Sequence, residues 1–178
     1  MAAAEGAAAI YLGSFSKVLA PGLRLGYVVA PAELYPKLLQ AKQAADLHTP
    51  GFNQRVVHEV IKGGFLKEHV PTIRARYKAQ RDAMAAALQA EMPAGVRWRA
   101  PVGGMFFWLT LPPQVDATAL LPQAVEAGMA YVPGATFFPN AAPGQHDNTL
   151  RLSFVTASPA QIATAVAALG TLLKAVLA

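Results

Sequence analysis

At 178 residues, with 54% hydrophobic and 14% charged side chains, the chain can bury a sizeable core and is too weakly charged for a disordered segment. The absence of cysteine excludes a disulfide scaffold and thiolate metal sites. A net charge of +5 raises nucleic acid as a partner, but the densest basic run, TIRARYKAQR (72–81), lies inside a helical pattern and reads as a solvated helix face. No zinc-finger, helix-turn-helix or RNA-binding signature accompanies it. The start, MAAAEGAAAI, has no basic n-region, so no signal peptide is expected. No apolar run is expected to reach membrane-spanning length, which makes the cytoplasm the expected location.

In chain order, AIYLGSF (9–15) and LRLGYVVAP (23–31) read as strands, the second ended by Pro31. Continuous apolar runs of this kind suit strands buried on both faces, as in a parallel α/β sheet. Residues 31–47 read as a helix that Pro36 threatens to split, and residues 49–64 as a helix ended by Gly63-Gly64. A long helix follows, starting at Phe65 or, after Pro71, at Thr72, and stopping before Pro93. From about residue 94 the pattern is β-β-α-β-β-α. Asp116 or Thr118 caps its first helix, and Ser158, Pro159 and Gln161 open its last. Gly103-Gly104 and Gly134 read as turn glycines.

The chemistry gathers in GSFSKVLAPGLRLGYVVAP (13–31). One amine, two hydroxyls and a guanidinium stand among small and apolar residues: Lys17, Ser14, Ser16 and Arg24. A lysine acts as a covalent amine only when its free base is accessible, and an aldehyde cofactor provides a route by binding the amine as a Schiff base. A phosphate on such a cofactor calls for hydroxyls, backbone N–H groups and a guanidinium. By residue type alone, a solvent-exposed turn lysine fits as well.

The full spelling adds more. Ser-x-Ser-Lys followed by Pro-Gly-x-Arg-x-Gly resembles the cofactor-lysine segment of fold-type I pyridoxal-phosphate (PLP) aminotransferases. PVGGMFFWLTLP, YVPGATFFP and NTLRLSF follow in the family's order. With LLQAKQAADLHTP and NQRVVHE, the chain resembles the 2-aminoadipate and kynurenine aminotransferase group, and also the PLP domain of MocR/GntR-type regulators. The resemblance implies an α/β fold, a partial fold-type I PLP transferase. Residues 1–70 would be the end of the large cofactor-binding domain, 71–93 a connecting helix, and 94–178 a small C-terminal α+β domain.

It further implies that Lys17 carries the cofactor and moves a proton between the substrate Cα and the cofactor C4′. Ser14, Ser16 and Arg24 would bind the phosphate, and Arg151, in NTLRLSF, the substrate α-carboxylate. The implied activity is amino-group transfer from an amino acid to a 2-oxo acid, with 2-oxoglutarate as acceptor, by a homodimer in the full-length form. The alternatives are a cofactor-sensing regulator domain, with nucleic acid as partner through an upstream DNA-binding module, and a non-catalytic remnant. Only sixteen residues precede Lys17, whereas the family draws its ring-stacking aromatic and pyridine-binding Asp from an N-terminal half. The expectation is a C-terminal half, inactive alone.

His48 and Asn53 are weaker site candidates. His58, His69 and His146 have no metal-ligand spacing, and no metal is expected. Trp98, Phe106, Phe107 and Trp108 read as core and packing residues.

Overall fold

Two short strands, β1 (Tyr11–Ser14) and β2 (Gly26–Val29), form a hairpin in which Tyr11 faces Val29 and Ser14 faces Gly26. The computed structural model describes residues 9–142 and 144–178. Residues 1–8 of the alanine-rich start and Pro143 of the 137–148 loop lie outside them. The chain divides into two units, Met1–Thr72 and Ile73–Ala178.

In the first unit both strands are where the sequence predicts them, but their setting differs. They are antiparallel neighbours, because residues 15–25 return directly, whereas a parallel pair needs a longer crossover. Nor are they buried on both faces: Leu12 is 73% and Val29 58% exposed. Gly13 has a steric reason. A Cβ there would lie 2.2 Å from the Tyr27 ring, which packs against Tyr11 and Phe15.

Helix α1 (Tyr35–Asp46) does not break at Pro36. It begins around it, since a first-turn proline needs no N–H donor and brings a helical φ. Helix α2 (Gly51–Ile61) is followed by Gly64 in the left-handed region, φ +88°. Helix α3 (Phe65–Glu91) starts at Phe65 and runs through Pro71. Pro71 is exposed, so water can reach the carbonyl that loses its donor. Further along α3, Gln80, Met84 and Leu88 form a buried stripe at four-residue spacing.

The second unit follows the expected order: β3 (Arg97–Trp98), β4 (Phe106–Thr110), α4 (Ala117–Glu126), β5 (Val132–Pro133), β6 (Thr149–Ser153) and α5 (Pro159–Leu177). The strands form one antiparallel sheet in the order β3-β4-β6-β5. Strand residues alternate between faces. Phe107, Leu109, Leu150 and Leu152 share one face, are fully buried and pack with Leu88, Leu120, Ile162, Val166 and Leu169.

The helix starts follow from their caps. Asp116 accepts the N–H groups of Thr118 and Ala119 at 2.7 and 3.1 Å. Ser158 and Gln161 exchange hydrogen bonds in a capping box. Helix α5 corrects one expectation: with 19 residues and a mean hydropathy of 1.6, it is long and apolar enough to cross a membrane. Its large side chains Ile162, Val166, Leu169 and Leu173 nevertheless point into the core, and alanines on its other faces raise the hydropathy.

Tyr131 ties this core together. Its hydroxyl donates to the Ala117 carbonyl at 2.7 Å. Burial, with the Asp116 charge adding, pushes its phenol up to about 12. A free tyrosine titrates near ~10. The native state therefore favours the neutral phenol, and that stabilisation is complete below pH ~10 and lost as the pH rises toward 12. We predict that Tyr131→Phe costs about 1 kcal/mol at pH 7 through the loss of this buried hydrogen bond. In urea unfolding the gap to the parent should close by roughly 1 kcal/mol at pH ~11. A gap independent of pH would contradict this.

Candidate functional site

The turn between β1 and β2 is held by backbone hydrogen bonds. Phe15 N–H donates to Leu25 O at 3.0 Å, and Leu19 and Ala20 N–H both donate to Phe15 O. Ser14 accepts the Ser16 N–H on its Oγ at 3.1 Å, the short-range bond that serine makes in turns. Lys17 sits in this turn and is exposed. A short 3₁₀ turn, Pro21–Leu23, then leads into Arg24.

Arg24 has left-handed backbone, φ 49° and ψ 43°. A non-glycine residue there costs on the order of 1 kcal/mol and needs support. Its N–H and its Nη1 both donate to Pro21 O at 3.3 Å, and Asn53 Nδ2, from α2, donates to Leu23 O at 3.1 Å. Asn53 thus supports the arginine turn, a role the sequence did not reveal because thirty residues separate it from Leu23. The structure therefore carries Ser14, Ser16, Lys17 and Arg24 on one loop of the first unit.

Arg151 lies on β6 in the second unit. Its register partners are Trp108 on β4 and Val132 on β5, so these three side chains share the sheet face opposite the core. Phe106 shares that face by alternation. This corrects the reading of the aromatic run: Phe107 and Trp98 pack with the core, whereas Phe106 and Trp108 accompany Arg151. The Arg151 guanidinium carbon sits 4.0 Å from the Phe106 ring centroid and 4.6 Å from that of Phe137. Its Nε is buried and has no hydrogen-bond partner. A hollow of about 170 Å³ opens beside it, lined by Phe106, Ala130, Tyr131, Val132, Arg151 and Ser153.

Among the described residues Lys17, Arg24 and Arg151 form no ion pair, as is true of most of the chain's lysines and arginines; Lys42, Lys62, Lys78, Arg81 and Lys174 do. An amine, two hydroxyls and a guanidinium with no carboxylate partner suit an aldehyde-bearing phosphate ester. The donor set fits PLP. On the basic run of α3, Lys78 and Arg81 share Asp82 and hold its carboxyl below the usual range.

The histidines stand apart. His48 Nδ1 lies 3.1 Å from Thr49 O, His58 is exposed on α2, His69 stacks on Phe65, and His146 stacks on Phe138 at 3.8 Å. No group of three potential metal ligands gathers among the described residues.

An antiparallel sheet backed by helices, preceded by a lysine hairpin, defines a part of the fold-type I PLP transferase architecture. The chain belongs to the class I and II aminotransferases, whose family model matches residues 1–169. It is 50% identical over 169 residues to 2-aminoadipate transaminase of Thermus thermophilus, covering 95% of this chain and 42% of that protein. The crystal structure of α-aminoadipate aminotransferase from Thermus thermophilus, complexed with N-(5'-phosphopyridoxyl)-L-leucine, superposes with a TM-score of 0.87 at 49% identity. The superposition covers 94% of this chain and 42% of that one. At lower identity, 31%, the chain matches the HTH-type transcriptional regulator TauR of Rhodobacter capsulatus over 95% of its own length and 34% of the regulator's. The chain thus spans less than half the length of these relatives.

Proposed function

We propose that this chain serves a PLP-dependent transaminase, moving an amino group between an amino acid and a 2-oxo acid, with 2-oxoglutarate as the acceptor. The observation that carries the reading is that the β1–β2 turn carries the Lys17 amine and the Arg24 guanidinium beside two serine hydroxyls, while Arg151 stands part-buried on β6 with its Nε unpartnered. Each of these groups has a matching anion or electrophile in the reaction. The similarity to 2-aminoadipate transaminase favours amino acids of that acidic class as donors.

PLP, when bound, supplies an aldehyde that condenses with amines and a ring that withdraws electrons from the carbon next to that nitrogen. Lys17 Nζ would hold the cofactor between turnovers and, once displaced, carry the proton to and from the substrate Cα. Arg24 and the hydroxyls of Ser14 and Ser16 would grip the phosphate, fixing the cofactor along the hairpin turn. Arg151 would receive the substrate α-carboxylate, a planar fork meeting a planar acceptor. The full-length protein is proposed to be a cytoplasmic homodimer. The match to TauR favours a second reading, a cofactor-sensing domain of a transcription regulator, at lower identity than the enzyme.

Titration of the chain with PLP tests the assignment. A new absorbance band, distinct from that of free PLP, should grow to one equivalent in the parent and be absent in Lys17→Ala. An equal band in both would refute the role of Lys17.

A further inference from the structure

We propose that Phe106 and Phe137 are positioning residues, holding the Arg151 guanidinium in place while leaving its hydrogen-bond donors free for a carboxylate. The inference rests on the assignment of Arg151 to a substrate carboxylate. Burying part of a guanidinium is costly unless something compensates the lost water. An aspartate or glutamate would compensate it, but would also neutralise the charge and occupy the fork. Aromatic faces attract the cation through the ring quadrupole and accept none of the strong in-plane hydrogen bonds a carboxylate needs. Two rings centre on the same carbon, at 4.0 and 4.6 Å, and Nε remains unpartnered.

The rings are themselves held. Phe106 stands on β4 in register with Ser153, next but one to Arg151 on the same face. Phe137 ends the 3₁₀ turn Gly134–Phe137, which is tied by Thr136 Oγ1 donating to Pro133 O at 2.8 Å. Trp108 meets the Phe137 ring edge-on, with centroids 5.5 Å apart and planes at 71°. Both phenylalanines are part-exposed, so replacing them by leucine keeps bulk without opening the core.

The test follows the Arg151 Nε–H signal of the chain by nitrogen-15 NMR during titration with 2-oxoglutarate. Phe106→Leu and Phe137→Leu are expected to weaken the binding by between about threefold and thirtyfold, the range of a cation–π contact. Each should also speed solvent exchange of the Nε–H before any ligand is added. Phe106→Tyr and Phe137→Tyr, which keep the π face, should restore both properties. Thermal melts of each variant check that the unit stays folded. Parent-like affinity and exchange in the leucine variants, or tyrosine variants as weak as the leucine ones, would overturn the positioning role. Arg151→Lys, which lacks the Nε–H and is read instead from the indole N–H signal of its register partner Trp108, separates this from the underlying assignment. If that variant binds 2-oxoglutarate like the parent, or the parent gives no saturable shift, the carboxylate role itself fails. If Arg151→Lys loses binding and the leucine variants do not, only the positioning role fails.

Discussion

Gly134→Ala is expected to lower the melting temperature of the second unit by roughly 10–20 °C. A Cβ at Gly134 would lie 1.9 Å from Thr149 Oγ1, 2.7 Å from Thr149 Cβ and 2.9 Å from its carbonyl carbon. Thr149 cannot easily turn away. It is 6% exposed, and its hydroxyl donates to His146 O at 2.6 Å. Over-packing a rigid site costs about 1–3 kcal/mol, and a clash with backbone sits at the upper end. About 3 kcal/mol corresponds to the stated shift for a domain of this size. Thr149→Ala in the same chain should recover only part, because the clash with Cβ and the carbonyl carbon persists. A Gly134→Ala melt within two or three degrees of the parent would show that the turn can move. The consequence reaches the site, since Phe137 ends the same turn.

The second large effect concerns the phosphate. Arg24 has no carboxylate partner among the described residues, and its backbone is strained into place. The chain is expected to prefer PLP over pyridoxal, which shares the aldehyde and lacks the phosphate. Arg24→Ala should weaken PLP binding by roughly tenfold to a hundredfold, the scale of a charge-assisted hydrogen bond, and leave pyridoxal affinity nearly unchanged. Competition between the two aldehydes, read by absorbance, checks this. An equal loss for both compounds would mean that Arg24 shapes the loop without touching the phosphate. High salt should mimic the variant in part, because Arg24 is exposed.

The helices were legible because their signals are local. Ser158, Pro159 and Gln161 announce α5 within four residues, and Asp116 does the same for α4. Pro36 and Pro71 were ambiguous for a physical reason. A proline both starts and stops helices, and the outcome depends on which neighbouring carbonyl water can reach. The partnering of β1 and β2 was less accessible, since apolar runs of this kind occur in parallel and antiparallel settings alike.

Lys17, Ser14, Ser16 and Arg24 were legible as one candidate group because they are close in sequence. The surroundings of Arg151 were not. MFFWL contains no polar residue, so its two faces cannot be told apart from hydrophobicity. The missing signal lay in the partner strand, where Arg151 alternates with Leu150 and Leu152; pairing Trp108 with Arg151 would have sent Phe106 and Trp108 to the open face. Gly134 does open a turn, but what demands glycine there is not legible locally, for a similar reason. Its φ is ordinary, and the constraint comes from Thr149, fifteen positions away.

The most direct measurement traps the cofactor on the chain. The protein is mixed with one equivalent of PLP, reduced with borohydride, digested and mapped by mass spectrometry. The phosphopyridoxyl group should reside on the peptide carrying Lys17. Recovery spread over Lys37, Lys42, Lys62, Lys67, Lys78 and Lys174, with no excess at Lys17, would contradict the claim that this amine is the one built to receive the aldehyde.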